Sequence, residues 1–98
     1  MSETPKKTWD DVKPKLDQTL KADGFEDAFI GVVRRVGKPS IFVYDYQKCV
    51  AILQTKGIPT EEEAIEWMEY NVVSAWAGEG TPGFMIACTL EEAMEASQ

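Results

Sequence analysis

Two pairs of ionisable side chains in this sequence have the spacing that acid–base chemistry on a helix would need. They are Asp45 with Lys48 and Glu66 with Glu69. Such a pair can act as general acid and base when burial shifts the pKa of one member. Charged residues three positions apart occur on almost every helix, however, so these pairs carry little information. The chain contains no histidine and no nucleophile–base or metal-ligand pattern, and we therefore expect a non-enzymatic protein without metal or cofactor.

Negative charge is concentrated in the last third of the chain. The formal net charge is -7 at pH 7, and residues 61–98 contain nine glutamates but neither lysine nor arginine. Five of them are expected in the first turns of two helices, where the helix dipole favours each by about 0.3 to 1 kcal/mol. An alternative is an acidic nucleic-acid mimic that inhibits a basic nucleic-acid-handling protein. The glutamates of the main predicted helix spread around its circumference, which disfavours a continuous phosphate-like face.

Positive charge forms one short cluster, made of Arg34, Arg35 and Lys38. An acidic chain repels nucleic acid and anionic membranes, so we expect direct binding to neither. The cluster instead supports an alternative function as a small-ligand or nucleotide-binding module.

The hydrophobic pattern predicts an α+β fold in a single domain that spans all 98 residues. We expect a small three-stranded antiparallel sheet packed with three to four helices in a single pair of layers. Residues 1–8 are expected to fray. The segment 29–44 is predicted as a hairpin, with a short helix ahead of Gly37 as the alternative. Helices are predicted at about 10–22, 45–57 and 60–77 and after Thr89, with a last strand at 84–88.

The predicted helix at 60–77 carries the candidate partner-binding surface. A capping box of Thr60 and Glu63 opens this helix, and the expected core stripe consists of Ile65, Met68, Val72 and Trp76. With that stripe inside, Trp67 and Tyr70 fall on nearly the opposite side. Either another part of the chain covers these rings, or they bind a protein partner or a second copy in a homo-oligomer. The candidate residues are Glu63, Glu66, Trp67, Tyr70 and Asn71, of which Asn71 is expected to bond to a neighbouring loop.

The remaining sequence features concern location and the cysteines. The first residues lack the apolar segment of a secretion signal, and no stretch is apolar enough to span a membrane, so we expect a cytoplasmic protein. Cys49 precedes the apolar run VAIL, and Cys88 follows the apolar run MIA. Both are predicted to be reduced, small core residues.

One region resembles a family of small proteins from phages and prophage-bearing bacteria. Residues 62–84, EEAIEWMEYNVVSAWAGEGTPGF, carry the resemblance, together with the companion motif VYDYQKCVAIL at 43–53 and residues 24–31. The likeness covers about 24–86. It implies a small accessory protein that serves a phage or mobile element, and it implies no catalytic or ligand-binding residue, because the family has no assigned chemistry.

Overall fold

The computed structural model describes residues 13–14 and 16–96. It confirms the α+β class, with three helices and a three-stranded sheet. In chain order the elements are a 3-10 turn (Glu26–Ala28), β1 (Phe29–Arg35), β2 (Lys38–Asp45), α1 (Tyr46–Thr55), α2 (Glu61–Met68), a π-helical turn (Glu69–Val73), β3 (Gly83–Met85) and α3 (Leu90–Ala96). The predicted fraying of residues 1–8 concerns positions outside the described residues.

The first two strands form the predicted hairpin. β1 and β2 run antiparallel, with Phe29 opposite Tyr44 and Arg35 opposite Lys38. The turn between them consists of Val36 and Gly37, and Gly37 has a φ of 72°, which glycine adopts without steric cost. The alternative of a short helix ahead of this glycine is therefore wrong.

The third strand runs parallel to its neighbour, so the prediction of a fully antiparallel sheet is wrong. β3 pairs with β2, with Val43 opposite Gly83 and Tyr44 opposite Phe84. The sheet order is β1-β2-β3 and the sheet is mixed. Between β2 and β3 the chain passes through α1 and α2. A crossover of this kind brings the chain back to the end where it started, and the returning strand is then parallel.

The predicted helix at 10–22 is not helical in the part that the structure describes. Positions 10–12 and 15 lie outside the described residues, and 16–22 contain a turn at 17–18 and otherwise no regular secondary structure. The Thr19 hydroxyl donates to the Ser40 carbonyl (2.6 Å), the Leu20 N–H to the Gly80 carbonyl (3.1 Å) and the Ala22 N–H to the Tyr44 hydroxyl (3.0 Å). The bonds of Leu20 and Ala22 satisfy backbone N–H groups that a helix would otherwise have satisfied internally.

The core lies between one face of the sheet and helices α1 and α2. Phe29 of β1 contacts Tyr44 of β2 edge to face at 5.7 Å between ring centroids, and Tyr44 stacks with Phe84 of β3 at 5.8 Å. The aromatic rings of all three strands therefore meet on the side that the helices cover. The buried apolar residues are Phe25, Ala28, Tyr44, Cys49, Val50, Leu53, Ala64 and Met68.

Helix starts are where the sequence predicts them. The Asp45 carboxylate accepts from the Lys48 N–H at 3.0 Å and caps α1, and Thr60 accepts from the Glu63 N–H at 3.1 Å and caps α2. At α3 the capping box is complete, because Thr89 accepts from the Glu92 N–H (3.1 Å) and the Glu92 carboxylate accepts from the Thr89 N–H (3.0 Å).

The end and the core stripe of the helix predicted at 60–77 differ from the prediction. The α-helix gives way to the π-helical turn after Met68, and no helix continues beyond Val73. The fully buried residues are Ala64 and Met68, whereas Ile65 is 37% exposed and Trp76 is 72% exposed. The prediction that Ile65 and Trp76 lie in the core is therefore wrong. Ile65 lies at the edge of a buried face that is centred on Ala64 and Met68, and Trp76 lies beyond the end of the helix.

Candidate functional site

Trp67 and Tyr70 lie on the outer side of α2 and the π-helical turn, as the sequence predicts. With Glu63, Glu66 and Asn71 they form what we call the aromatic surface. Tyr70 is 82% exposed and Trp67 is 43% exposed. Successive residues of a helix turn by about 100°, so Tyr70 lies nearly opposite the buried Ala64 and Met68 while Trp67 lies to one side. The structure thus brings the five predicted residues to one region of the molecule.

Beside Trp67 lies a groove of about 320 Å³. Phe25, Leu53 and Ile58 contribute apolar surface to it, and Asp23 and Lys56 are charged residues at its lining. The Lys56 ammonium donates to the Gly24 carbonyl at 3.3 Å. Within residues 13–14 and 16–96, the surroundings thus cover Trp67 in part and Tyr70 very little. Sequence reasoning missed this groove, because its residues come from three separate segments.

The π-helical turn shapes the aromatic surface. The Asn71 amide donates to the Trp67 carbonyl at 3.3 Å, and the Ser74 hydroxyl donates to the Glu69 carbonyl. The expected bond from Asn71 to a neighbouring loop is therefore wrong, since its amide bonds within its own helix. π-Helical turns are rare and are frequent at functional sites. No pattern in the sequence indicated this one.

Glu69 holds the turn against α1. The Tyr46 hydroxyl donates to the Glu69 carboxylate at 2.8 Å. Burial, and then the bond to Glu69 and its negative charge, raise the pKa of Tyr46 to about 12. Glu69 thus links the π-helical turn to α1 through a bond that lies at the protein surface. Asp45 is likewise engaged as the cap of α1.

The predicted ligand-binding residues Arg34, Arg35 and Lys38 also come together in space. They line a cleft of about 600 Å³ at the turn end of the β1–β2 hairpin, and its other lining residues include Lys13, Pro14, Asp17 and Gln18. We call it the basic cleft. Lys13 and Asp17 contribute to it. Sequence reasoning missed Lys13, because it lies about twenty positions from the cluster and only the tertiary fold brings it near.

Other groups with possible chemistry are few in the part of the chain that the structure describes. In residues 13–14 and 16–96, no group of three or more His, Cys, Asp or Glu side chains could hold a metal ion. None of the helices found there combines the length and the apolar character that crossing a bilayer demands.

The two cysteines have different environments, so the prediction that both are core residues is wrong for Cys88. Cys49 is buried and Cys88 is exposed, and both are free thiols. Burial, and secondly the Asp45 carboxylate, raise the pKa of Cys49 to about 11. The short strand β3 ends at Met85, three residues before Cys88. Cys88 therefore lies outside the sheet, and its side chain is exposed.

We expect one reactive thiol per folded chain. The thiolate is the reactive form, and a raised pKa leaves Cys49 about 0.1% ionised at pH 8. An aromatic disulfide reagent at pH 8 should therefore label Cys88 rapidly and Cys49 only after unfolding or as the pH approaches 11. The Cys88→Ser variant is the control and should show no rapid phase. Two rapid phases in the wild type would contradict the burial of Cys49.

Comparison of this chain with protein-family models, curated proteins and solved structures finds no match.

Proposed function

We propose that this chain is a non-enzymatic accessory protein that binds another protein through the aromatic surface. The observation that supports this most directly is the 82% exposure of Tyr70, which follows Trp67 by three positions, together with the groove that Trp67 lines. A large ring left in water is unfavourable by itself, and tyrosine and tryptophan are the residues most often found at the energetic centre of interfaces. The groove next to Trp67 offers a place for an apolar side chain of the partner.

The charge around the aromatic surface favours a basic partner. Glu63 and Glu66 flank the rings, and the chain has no lysine or arginine anywhere from 61 to 98. In a symmetric dimer through this surface, glutamates would face glutamates, which costs free energy. We therefore propose that the occupant is a protein segment with an apolar side chain between lysines or arginines. Self-association is the competing outcome that the experiment below distinguishes.

The biological setting rests on the resemblance of residues 62–84 to small phage and prophage proteins. On that basis we propose that the partner belongs to a phage or to its bacterial host, and that binding takes place in the cytoplasm. The nucleic-acid mimic receives less support, because Glu69 is bonded to Tyr46 and Glu79 to Lys38. Those two carboxylates are engaged within the chain and are not free to imitate phosphates.

The test compares peptides with a central Leu or Phe flanked either by lysines or by glutamates. Titration calorimetry should show binding of the lysine-flanked peptide alone. The Tyr70→Ala variant should weaken it by about 10-fold or more, as expected for an interface anchor. Leu90→Ala is the matched control, because Leu90 on α3 is 77% exposed and lies outside the aromatic surface. It should leave the affinity unchanged.

Charge reversal gives an independent check. Glu66→Lys should reduce binding of the lysine-flanked peptide, whereas Glu95→Lys on α3 should not. Sedimentation of the wild type should show a monomer. A dimer that Tyr70→Ala dissociates would mean that a second copy occupies the surface. Equal binding of both peptides, or equal effects of both glutamate variants, would contradict the proposal.

A further inference from the structure

The basic cleft is a second candidate site, distinct from the aromatic surface. Among the described residues that line it, four carry positive charge and one, Asp17, carries negative charge. The positive residues are Lys13, Arg34, Arg35 and Lys38. This concentration is unusual in a chain with a net charge of -7. None of the glutamates of α2 and α3 lines the cleft. At physiological salt, the interaction between two exposed charges is screened over about 8 Å, so distant glutamates weaken the positive potential of the cleft only slightly.

Arg35 is held in place without losing its charge. Its Nε and Nη2 groups donate to the Pro39 carbonyl at 3.1 and 2.7 Å, and Nη2 also donates to the Glu79 carbonyl at 2.5 Å. Carbonyl groups are neutral, so the positive charge of the guanidinium is not cancelled by a carboxylate. The two N–H groups on Nη1 take no part in these bonds. A fixed guanidinium binds an anion with little loss of side-chain entropy.

The two other cations of the hairpin are accessible. Arg34 is exposed. Lys38 pairs with the Glu79 carboxylate at 3.3 Å, with the two side chains 54% and 50% exposed. An exposed ion pair of this kind contributes little stability, so an anion that enters the cleft can compete with Glu79 for Lys38.

We propose that the basic cleft binds a small ligand with two or more phosphate groups. Its volume of about 600 Å³ is within the range of small-molecule sites. Guanidinium groups match phosphate oxygens in geometry and form strong charge-assisted hydrogen bonds with them. The described lining residues include no aromatic ring on which a nucleobase could stack. The ligand is therefore recognised by its phosphates and not by a base.

The experiment titrates the full chain with inorganic pyrophosphate, tripolyphosphate and ATP in a calorimeter. Tripolyphosphate should bind more tightly than pyrophosphate, and ATP should bind about as tightly as tripolyphosphate, because the base adds no contact. Arg34→Ala should weaken tripolyphosphate binding by about 10-fold or more, the effect of losing a hydrogen bond to a charged group. Lys48→Ala is the matched control, since it removes the same charge at the start of α1, away from the cleft, and should change the affinity by less than about 2-fold.

Chemical shifts of the wild-type protein provide a readout that needs no variant. Tripolyphosphate should shift the amide signals of Arg34, Gly37 and Ser40. Saturable binding with shifts confined to this region supports the proposal. Absence of binding at millimolar ligand, shifts elsewhere, or equal losses in Arg34→Ala and Lys48→Ala would overturn it. ATP binding much more tightly than tripolyphosphate would show that a base is recognised, contrary to the proposal.

Discussion

Replacing Gly80 with alanine should destabilise the protein by about 3 kcal/mol or more, because the added methyl group has no space. A Cβ at this position would lie 1.7 Å from the Gln18 carbonyl oxygen and 3.3 Å from the Thr19 Cα. Both neighbours are backbone atoms, so a change of side-chain rotamer cannot relieve the overlap. The Gly80 carbonyl also accepts the Leu20 N–H at 3.1 Å, and displacement of the segment would lose this bond as well.

Urea unfolding of Gly80→Ala measures the effect, and Gly31→Ala is its control. Gly31 lies in β1 and does not have a positive φ. A Cβ added there would have no neighbouring atom within 4 Å. Its replacement should change the free energy of unfolding by less than about 0.5 kcal/mol. A loss below about 1 kcal/mol in Gly80→Ala would mean that residues 16–20 do not pack against the loop at 78–81 in solution.

Met68→Ala should cost about 2 to 5 kcal/mol of unfolding free energy, the range for removal of a large buried side chain. Met68 has no exposed surface, and it is the largest of the fully buried side chains among the described residues. It packs in the cluster that contains Tyr44, Cys49 and Leu53. The substitution leaves a cavity between α2 and the rest of the core, which the close-packed surroundings fill only partly.

The control for Met68→Ala is Met85→Ala, since Met85 in β3 is 45% exposed. We expect a loss below about 1 kcal/mol there, because much of its surface remains in water in the folded state. Thermal unfolding of both variants tests the comparison, with about 4 to 8 °C expected per kcal/mol for a domain of this size. Equal shifts in the two variants would contradict the central position of Met68.

The candidate site was only partly predictable. That Trp67 and Tyr70 point away from the buried face of their helix follows from helical spacing, whereas their exposure depends on whether another segment covers them and was left open by the sequence. The groove beside Trp67 does not, since it combines Phe25 with Leu53 and Ile58. The basic cleft shows the same division: Arg34, Arg35 and Lys38 are visible as a cluster in the sequence, whereas the contribution of Lys13 depends on how a distant segment packs.

The error at Trp76 in the predicted core has a related cause. Trp76 is apolar and has helical spacing, yet it is exposed. The π-helical turn changes the direction of later side chains, and the helix ends before Trp76. A periodic pattern predicts which residues share a face only while the helix keeps one geometry.

The sequence by itself determined the α+β class, the hairpin and the helix starts at Asp45, Thr60 and Thr89. Caps and tight turns are interactions between residues within about four positions, so their information is local. Only the tertiary structure decided the direction of β3, the non-helical conformation of 16–22 and the exposure of Cys88. Each of these depends on contacts between distant segments, such as the Leu20 N–H with the Gly80 carbonyl, and such contacts can override the local preference of a segment.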